Sequence, residues 1–476
     1  MDMYKQWIPQ CLFMALFMIS SVSMGQTLVS SLEELLPYLD KDEVHVKLKP
    51  GSYSITAREV EEGKYTSETV IAGRDCKVLL LFEGNNSTYD FTDVTLNVET
   101  AVFKSFGNHK VYEIQIIGNH NILKNLRLVD DGSVHDAPTK GACNIVMDGR
   151  SNRVEGFHIT VKGSFPYGYG DAFGKGGGPV IAHQKHSALL IRGESNHVKN
   201  CTLIHRSYGH CIFMQAASNP LVEGCYVEGE MRSTDDMLAE EGSGSPADKV
   251  GLMTAWGYKL PAGYMLSLGE AGVRAYNAGE TVIDGLEYER GTSNPTVLNC
   301  TIKYMRTGVT LAHATGAKYV EGCTAIGCEN GYSLGSGQVV NCSADATYGP
   351  VYQSTYNNDK QFDADITILP AIDEYYNGMH SVAYIAGSNH TITLRNSEAQ
   401  VNPDLKIQMG GDKGNIRLFH GNNASQNHHE ARNITLNNLT GYPVYLPASS
   451  KEVSGQSCGE IHDQGQDNTL QRISCE

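Results

Sequence analysis

A short unit that recurs along the chain constrains its fold more than any other feature. The unit reads Val-x-[Gly/Asn]-[Cys or apolar]-x-apolar, follows an Asn or Gly turn, and has copies around Cys201, Cys225, Cys300, Cys323 and Cys342. The tightest copies are 19 to 24 residues apart. Short alternating strands separated by turn residues and repeated at this spacing are typical of a parallel β-solenoid, whose coils stack about 4.8 Å apart. Equivalent residues of successive coils are therefore predicted to lie above one another.

The recurring cysteines are predicted to fill one inward column, together with Leu126 and Phe157. The chain has 12 cysteines but no Cys-x-x-Cys pair that would indicate zinc, and a free thiol behaves as a small buried hydrophobe. Cys458 and Cys475, near the C-terminus, are the best candidates for a disulfide. An internal ladder is predicted for the asparagines that precede three repeat cysteines, which are Asn200, Asn299 and Asn341.

The N-terminus is predicted to be a secretory signal, residues 1–25, cleaved near Gly25-Gln26. Lys5 supplies the positive charge, and the apolar segment from Cys11 to Ile19 is followed by small residues. An uncleaved anchor is the alternative, although the apolar run is short for one. No later stretch reaches about 18 apolar residues, so the mature chain is predicted to lack a membrane span and to be secreted or periplasmic.

Composition limits the partners. The chain has 37 Lys and Arg against 53 Asp and Glu, a net charge of −16, which disfavours a nucleic-acid binder held by bulk positive charge. A hydrophobic fraction of 41% is enough for a core. The predicted organisation is a β-helix domain over residues 26–445 and a polar C-terminal tail over residues 446–476.

These repeats resemble the right-handed parallel β-helices of the pectate lyase-like superfamily. The resemblance implies an all-β fold with a single right-handed parallel β-helix. Residues Leu28 to Asp40, with the run Ser31-Leu-Glu-Glu-Leu-Leu-Pro-Tyr-Leu, are similar to the amphipathic helix that caps one end in that superfamily. Polygalacturonases of the superfamily carry four motifs in a fixed order, which this chain does not reproduce, so no catalytic residue is carried over.

Four segments are longer than a coil requires. They run from Asp130 to Ala142, from Gly163 to His186, from Gly229 to Glu280 and from Tyr348 to His380. All are predicted to leave one corner of the coil, after the strand that follows the cysteine column, and to form the walls of a cleft on one side. Loops on one face of a repeat protein usually mark the binding face.

The predicted cleft is basic and aromatic on an acidic protein. This contrast suits a polymer that carries carboxylates or sulfates, with aromatic faces stacking on its sugar rings. The predicted catalytic residues are His205, Arg206, His210, Lys303, Arg306, Asp235, Asp236 and Asp171. The predicted substrate-binding residues are Arg232, Lys175, Tyr167, Tyr169, Tyr208, Tyr304, Trp256 and Arg274.

Three functions follow, all with a polysaccharide or oligosaccharide as partner. The first is a lyase that cleaves an acidic glycan by β-elimination, with His205, His210, Lys303 or a cleft tyrosine as the base and an arginine neutralising the carboxylate. The second is a glycoside hydrolase that uses paired carboxylates of the same cleft. The third is a carbohydrate-binding solenoid without catalysis.

One acidic run is open to three interpretations. Asp235, Asp236, Glu240 and Glu241 lie within seven positions. They could hold Ca²⁺, the one cofactor predicted here, because this ion takes oxygen ligands from such clusters. They could also divide acid and base roles, or form the start of a helix capped by Ser233 or Thr234.

Overall fold

The computed structural model describes residues 25–132, 141–174, 178–354, 359–374, 377, 380–412 and 428–475. Within this part of the chain, two large β-sheets contain 21 and 14 strands and are called sheet 1 and sheet 2. The predicted signal up to residue 24 and the predicted site residue Lys175 lie outside the described residues.

The strands pair in parallel from coil to coil. In sheet 1, Thr202–His205 lies between His158–Val161 and Tyr226–Glu228 in register. In sheet 2, Ile212–Ser218 lies between His186–Glu194 and Ala271–Ala275. The central coils thus give two strands to sheet 1 and one to sheet 2, and the predicted parallel β-helix is confirmed.

Sheet 1 consists of Thr27–Val29, His45–Leu48, Gly51–Ile55, Thr88–Glu99, Ile122–Asp131, Arg153–Glu155, His158–Val161, His197–Lys199, Thr202–His205, Leu221–Glu223, Tyr226–Glu228, Thr296–Leu298, Thr301–Lys303, Tyr319–Glu321, Thr324–Ile326, Gly337–Asp345, Phe362–Leu369, Gly387–Asn396, Ala431–Leu439, Ser450–Ser457 and Thr469–Arg472. Sheet 2 consists of Ser67–Ile71, Arg74–Phe82, Lys110–Ile116, Ala142–Met147, His186–Glu194, Ile212–Ser218, Ala271–Ala275, Thr307–Thr310, Tyr332–Ser333, Tyr352–Gln353, Ser381–Ile385, Lys406–Met409, Val444–Leu446 and Ile461–Asp463. Within sheet 2, Ser67–Ile71 pairs antiparallel with Arg74–Phe82. Outside the two sheets, three short antiparallel pairs of the described residues join Met231–Ser233 to Met265–Ser267, Glu280–Ile283 to Leu286–Glu289, and Gly411–Asp412 to His428–His429.

Helices are short. They span Leu32–Leu35, Ala57–Glu61, Val102–Ser105, Gly170–Gly174, Thr234–Leu238 and Pro246–Lys249, with a 3₁₀ turn at Leu36–Tyr38. The N-terminal cap is confirmed at Leu32–Leu35, where Ser31 accepts a hydrogen bond from the Glu34 amide and Leu35 is fully buried. It is shorter than predicted, because Thr27–Val29 already pairs with His45–Leu48 as a strand.

The predicted thiol column runs through the core. Cys201, Cys225, Cys300, Cys323 and Cys342 are each at most 2% exposed. The residues after them pair in register from coil to coil, and the amides of Cys300 and Cys323 each donate to the next thiol along the column at 3.4 Å. Burial and the neighbouring thiols therefore make this column part of the hydrophobic core.

The position before each column residue adopts a left-handed backbone conformation. Asn200 and Asn299 have φ values of 51° and 52°, and Gly224 and Gly322, which alternate with them, have 63° and 62°. Only Gly and Asn adopt this region at little cost, which explains the [Gly/Asn] of the repeat. The predicted internal ladder at Asn200, Asn299 and Asn341 is wrong because these residues are exposed.

The asparagine ladder instead follows another corner of the coil. There the side-chain oxygen of Asn152 accepts from the amide of Asn121, and that of Asn196 accepts from the amide of Asn152, at 2.9 and 2.8 Å. All three asparagines are at most 1% exposed.

The insertions differ in part from the prediction. Residues 162–185 and 229–270 leave the expected corner, and their apolar side chains form a separate small core that includes Phe173, Met237 and Leu268. The predicted insertion from Gly229 to Glu280 ends earlier, because Ala271–Ala275 is a strand of sheet 2. The predicted insertion from Tyr348 to His380 contains the strands Tyr352–Gln353 and Phe362–Leu369 and is therefore not one loop.

Strands continue into the segment predicted as a polar tail. Ser450–Ser457 and Thr469–Arg472 extend sheet 1, and Ile461–Asp463 extends sheet 2. The coil therefore passes the boundary predicted at residue 445. A disulfide joins Cys458 to Cys475, as predicted.

Candidate active site

A groove crosses the outer face of sheet 2 and is called the sheet 2 groove. It contains one cavity of about 210 Å³ and a second of about 330 Å³, which share Lys110, Tyr112, Leu190 and Gln215. Its apolar floor is a cluster separate from the main core, formed by side chains such as Cys143, Val146 and Phe213. The hairpin Glu280–Glu289 borders the second cavity.

A histidine and a tyrosine meet at one end of this groove. The Nε2 atom of His210 lies 2.5 Å from the Oη atom of Tyr276. The amide of Ala271 donates to His210 Nδ1 at 3.2 Å, which leaves the imidazole proton on Nε2, facing the phenol. Burial raises the pKa of Tyr276 to about 12. The imidazole is thus placed to donate to the phenolic oxygen and to stabilise its ionised form.

An ion pair lies beside this dyad. Lys185 Nζ is 2.9 Å from Glu270 Oε1, while the other oxygen of Glu270 is 3.4 Å from His210 Nε2. Glu270 is buried and Lys185 is exposed, with its ammonium 4.8 Å from the Tyr208 ring. The carboxylate therefore holds the ammonium at the mouth of the groove.

Further cations follow the groove. The guanidinium of Arg274 lies 4.6 Å from the Tyr276 ring centre, and Lys110 lines both cavities. Burial lowers the pKa of Lys110, and the guanidiniums of Arg192 and Arg74 lower it further. Arg74, Lys110, Arg192 and Lys185 line the two cavities together with the acids Glu270, Glu280 and Glu289, so the groove carries charges of both signs.

The hairpin wall is fixed by buried polar contacts. Thr281 donates to Asp148 at 2.8 Å, and Asp148 also forms a buried ion pair with Arg192 at 2.6 Å. Arg290 donates to the carbonyl of Gly193 at 2.8 Å. These bonds hold the hairpin against the outer face of sheet 2, so the groove is formed in advance of any ligand.

Of the predicted site residues, His210 lines this groove, and Arg274 lies beside it, against the Tyr276 ring. The cleft predicted from sequence was placed on the outer face of the second strand of sheet 1, one strand earlier in the coil. There, Arg206 pairs with Glu228 at 2.6 Å, and Lys303 lies 5.5 Å from the Tyr226 ring. Tyr304, on the following turn, is half-buried.

His205 does not face solvent as predicted. It is 1% exposed and its Nε2 atom contacts the carbonyl oxygen of Gly209 at 2.9 Å. Burial lowers its pKa to about 4. The alternation along Thr202–His205 turns this side chain into the coil, so its predicted outward position is wrong.

Asp171, Arg306 and Tyr208 form a buried cluster beneath the insertions. Arg306 makes a short ion pair with Asp171, and the Tyr208 hydroxyl donates to the same carboxylate at 2.7 Å. All three side chains are at most 8% exposed. Their mutual pairing ties the insertion to the coil and turns them away from the groove.

The remaining predicted residues hold the insertions together. Arg232 makes a short ion pair with Glu240, and Tyr169 donates to Glu240 at 2.8 Å. Tyr167 donates to Glu230 at 2.6 Å. Trp256 stacks on Tyr258 with ring centres 6.3 Å apart.

The acidic run begins a helix. Ser233 accepts from the amide of Asp236 and caps Thr234–Leu238, while Asp235 accepts from the amide of Gly263 and Glu241 pairs with Lys259. These acids do not bring three ligand atoms together as a metal site. The cap interpretation is confirmed, while the Ca²⁺ site at Asp235, Asp236, Glu240 and Glu241 stays a prediction.

The sequence repeats do not predict the site residues Tyr276 and Lys110 or the hairpin Glu280–Glu289. An alignment of the sheet 2 strands would have predicted the position of Tyr276. Ala271–Ala275 pairs in register with Ile212–Ser218, which places Tyr276 above Gln215 on the next coil. Gly272 and Arg274 of this strand hide its apolar pattern.

No protein-family model and no curated protein matches this chain. Solved structures that it resembles include a PL6 alginate lyase in complex with a trisaccharide, at 11% identity and a TM-score of 0.40, covering 96% of this chain and 87% of that one. An alginate lyase from Paenibacillus sp. str. FPU-7 has 8% identity and a TM-score of 0.38, covering 80% and 97%. A polygalacturonase from Erwinia carotovora ssp. carotovora has 8% identity and a TM-score of 0.35, covering 94% and 95%. Likenesses at this level do not indicate which reaction this chain catalyses.

Proposed function

We propose that the chain is a polysaccharide lyase that cleaves a uronate-containing glycan by β-elimination in the sheet 2 groove. The observation that carries this proposal is the 2.5 Å contact between His210 Nε2 and Tyr276 Oη, set among cations in an open groove. Removal of the proton α to a carboxylate requires a base and positive charge near the carboxylate oxygens, where enolate charge develops.

The chain offers a group for each step. Lys185 and Arg274 bind the uronate carboxylate. The phenolate of Tyr276, stabilised by His210 Nε2–H, takes the C5 proton as the C4–O bond breaks and the C4=C5 double bond forms. The phenol then returns this proton to the departing glycosidic oxygen, so that atoms and charge balance without water. Lys110 and Arg74, which line the second cavity, extend the contact to neighbouring uronates of a polymer.

Hydrolysis is less well supported by the side chains. The acids predicted for it are engaged elsewhere, since Asp171 pairs with Arg306 and Glu240 with Arg232, while Asp236 lies at a helix start. Glu270, the acid beside the dyad, is paired with Lys185.

We also propose that the chain works outside the cytoplasm. The predicted signal and the disulfide between Cys458 and Cys475 support export, because disulfides persist in oxidising compartments. None of the described helices is long and apolar enough to cross a membrane.

A screen of acidic polysaccharides tests the reaction. Ultraviolet absorbance of the unsaturated product and new reducing ends are measured together, with and without chelator. A lyase produces both signals in step. Reducing ends without absorbance would establish hydrolysis, and neither signal on any acidic glycan, together with cleavage of a neutral one, would refute the proposal.

Matched tyrosine variants test the site. Tyr276→Phe removes the proposed base and is expected to lower kcat about 100-fold or more. Tyr226→Phe removes a hydroxyl that donates to Glu228 at 2.7 Å on sheet 1, and is expected to leave kcat unchanged. Equal losses in both variants, or none in Tyr276→Phe, would contradict this assignment.

A further inference from the structure

A cluster of two carboxylates and an imidazole lies inside the coil, away from the groove. Candidate ligand atoms of Glu113, Asp130 and His186 lie within 4.8 Å of one another. The three side chains are at most 1% exposed. Glu113 belongs to the sheet 2 strand Lys110–Ile116, Asp130 lies near the end of Ile122–Asp131, and His186 begins its own strand.

The imidazole is held with one nitrogen free. His186 Nδ1 makes a short hydrogen bond to the carbonyl oxygen of Lys162, so the ring proton lies on Nδ1. Its Nε2 atom has no hydrogen-bond partner among the described residues and lies 3.6 Å from Glu113 Oε1. A backbone carbonyl that fixes the tautomer in this way is the usual support of a metal-binding histidine.

The carboxylates lack compensating charge. Neither oxygen of Glu113 has a hydrogen bond of good geometry in the part of the chain that the structure describes, and its polar neighbours are Asp130 and Asn144. Asp130 accepts from Asn144 Nδ2 at 3.0 and 3.1 Å and from the amide of Lys162 at 2.8 Å. No Lys or Arg side chain of the described residues pairs with either acid. Two uncompensated buried carboxylates are costly, so the cluster requires a cation or a proton.

We propose that Glu113, Asp130 and His186 bind one divalent metal ion of the class that accepts nitrogen and oxygen ligands together, with zinc as the preferred ion. Two carboxylates balance the charge of such an ion. Zinc lies about 2.0–2.2 Å from its nitrogen and oxygen ligands, so the three side chains, whose candidate ligand atoms lie within 4.8 Å of one another, would draw together around the ion. The imidazole favours zinc over Ca²⁺, which takes oxygen ligands alone.

The site would fix the root of an insertion. Asp130 lies near the end of the strand Ile122–Asp131, while Lys162 and His186 lie at the two ends of the insertion that follows His158–Val161. A bound ion would therefore tie both ends of this insertion to the end of the strand Ile122–Asp131. This inference is independent of the reaction proposed for the groove.

The alternative occupant is a proton. Burial, and then the neighbouring Asp130 carboxylate, raise the pKa of Glu113, so a neutral Glu113 could replace the ion. The two cases predict different Tm values for Glu113→Gln. If a proton occupies the cluster, Tm should be unchanged, because glutamine mimics the neutral acid. If a metal occupies it, Tm should fall, because glutamine lacks the charge that the metal needs.

The experiment uses the tag-free chain after dialysis against a chelator. Zn²⁺, Mn²⁺ and Ca²⁺ are added separately, the excess is removed, and bound metal per chain and Tm are measured. We expect about one zinc per chain and a Tm several degrees higher than that of the metal-free chain. Retention of Ca²⁺ in preference to zinc, or no retained metal and no change in Tm, would overturn the proposal.

Variants and a spectroscopic probe complete the test. Glu113→Gln is expected to lose the zinc and its increment in Tm. The control Asp345→Asn changes a buried carboxylate that accepts from the amide of Gly327 and from Thr347, and should keep both. If Glu113→Gln fails to fold, Co²⁺ added to the unaltered chain tests for the metal site. Binding by His186 gives visible absorption bands that free Co²⁺ lacks. If the parent chain retains no metal and Glu113→Gln has the same Tm as the parent, the cluster holds a proton and not a metal ion.

Discussion

His210 Nε2 lies 2.5 Å from Tyr276 Oη, although the two residues are 66 positions apart in the chain. Strand pairing produces this contact, because Ile212–Ser218 and Ala271–Ala275 are neighbours in sheet 2. The long insertion between them leaves from a corner and does not disturb the register. The phenol and the imidazole therefore form one unit in the proposed reaction.

If they act as one unit, their substitutions should not be additive. His210→Gln is expected to lower kcat about 100-fold with little change in KM, because His210 acts through Tyr276. The double variant with Tyr276→Phe should be no slower than the Tyr276→Phe variant alone. A double variant slowed by the product of both losses would show that the two residues act separately. Initial rates measured by product absorbance decide this.

The rate should rise with pH. Burial raises the pKa of Tyr276 to about 12, so the fraction of phenolate, the form that acts as base, increases tenfold for each pH unit below that value. We expect kcat/KM to rise by about tenfold per unit between pH 7 and 10. Tyr276→Phe should lose this dependence. A profile that falls over this range would exclude the phenolate as the base.

The groove cations should govern substrate affinity. Lys185→Ala and Arg274→Ala are expected to raise KM for an acidic glycan and to weaken its dependence on ionic strength, because each removes a charge that is screened by salt. Lys303→Ala, on the outer face of sheet 1, is the matched control and should leave KM unchanged. KM values from 0.05 to 0.5 M salt would distinguish the two faces; a larger effect of Lys303→Ala would favour the cleft predicted from sequence.

Acid should destabilise the chain partly through His205. Burial lowers the pKa of this residue to about 4, below its ordinary value of about 6.5, so between these pH values the unfolded chain binds a proton that the folded chain does not. The stability is complete above pH 6.5 and falls on acidification by about 1.4 kcal/mol per pH unit from this residue. His205→Gln should have a shallower dependence of the free energy of unfolding between pH 6.5 and 4.5. Substitution of the exposed His462 should leave the slope unchanged.

The left-handed turns predict a pair of stability changes. Asn299 has φ of 52°, which alanine adopts at a cost of about 1 kcal/mol. Asn299→Ala should therefore lower the free energy of unfolding by about this amount, whereas Asn299→Gly should change it little. Denaturant unfolding of both variants measures the difference. Equal losses would show that the side-chain contacts of Asn299, rather than its backbone, determine the effect.

Stacking order was predictable from the sequence. A residue such as Cys300 repeats with the same neighbours at every coil, and parallel pairing converts this spacing directly into a column. The corner from which residues 162–185 and 229–270 leave followed from the same register.

The groove was not predictable because its residues carry no repeat. Tyr276 directly follows the strand Ala271–Ala275, in which Gly272 and Arg274 interrupt the usual apolar run. The hairpin Glu280–Glu289 leaves from a different corner. The prediction that His205 faces outward is wrong because it rests on the polarity of a histidine near a turn. The alternation along Thr202–His205 turns this side chain inward. The side chains that contact Tyr276 or His205 belong to the coils above and below, and the local sequence does not show which residues these are.

The described residues contain nine buried unpaired thiols, which have a consequence for the maturation of this chain if it is exported as proposed. While the coils are still apart, a row of sulfhydryls is open to oxidants, and any two that meet can form a wrong crosslink. Once the coils have stacked, the same groups are shielded from reagents. In an oxidising compartment the coils would therefore have to stack before the thiols are oxidised. The disulfide between Cys458 and Cys475, near the last strand, can form late without fixing the other coils in a wrong arrangement.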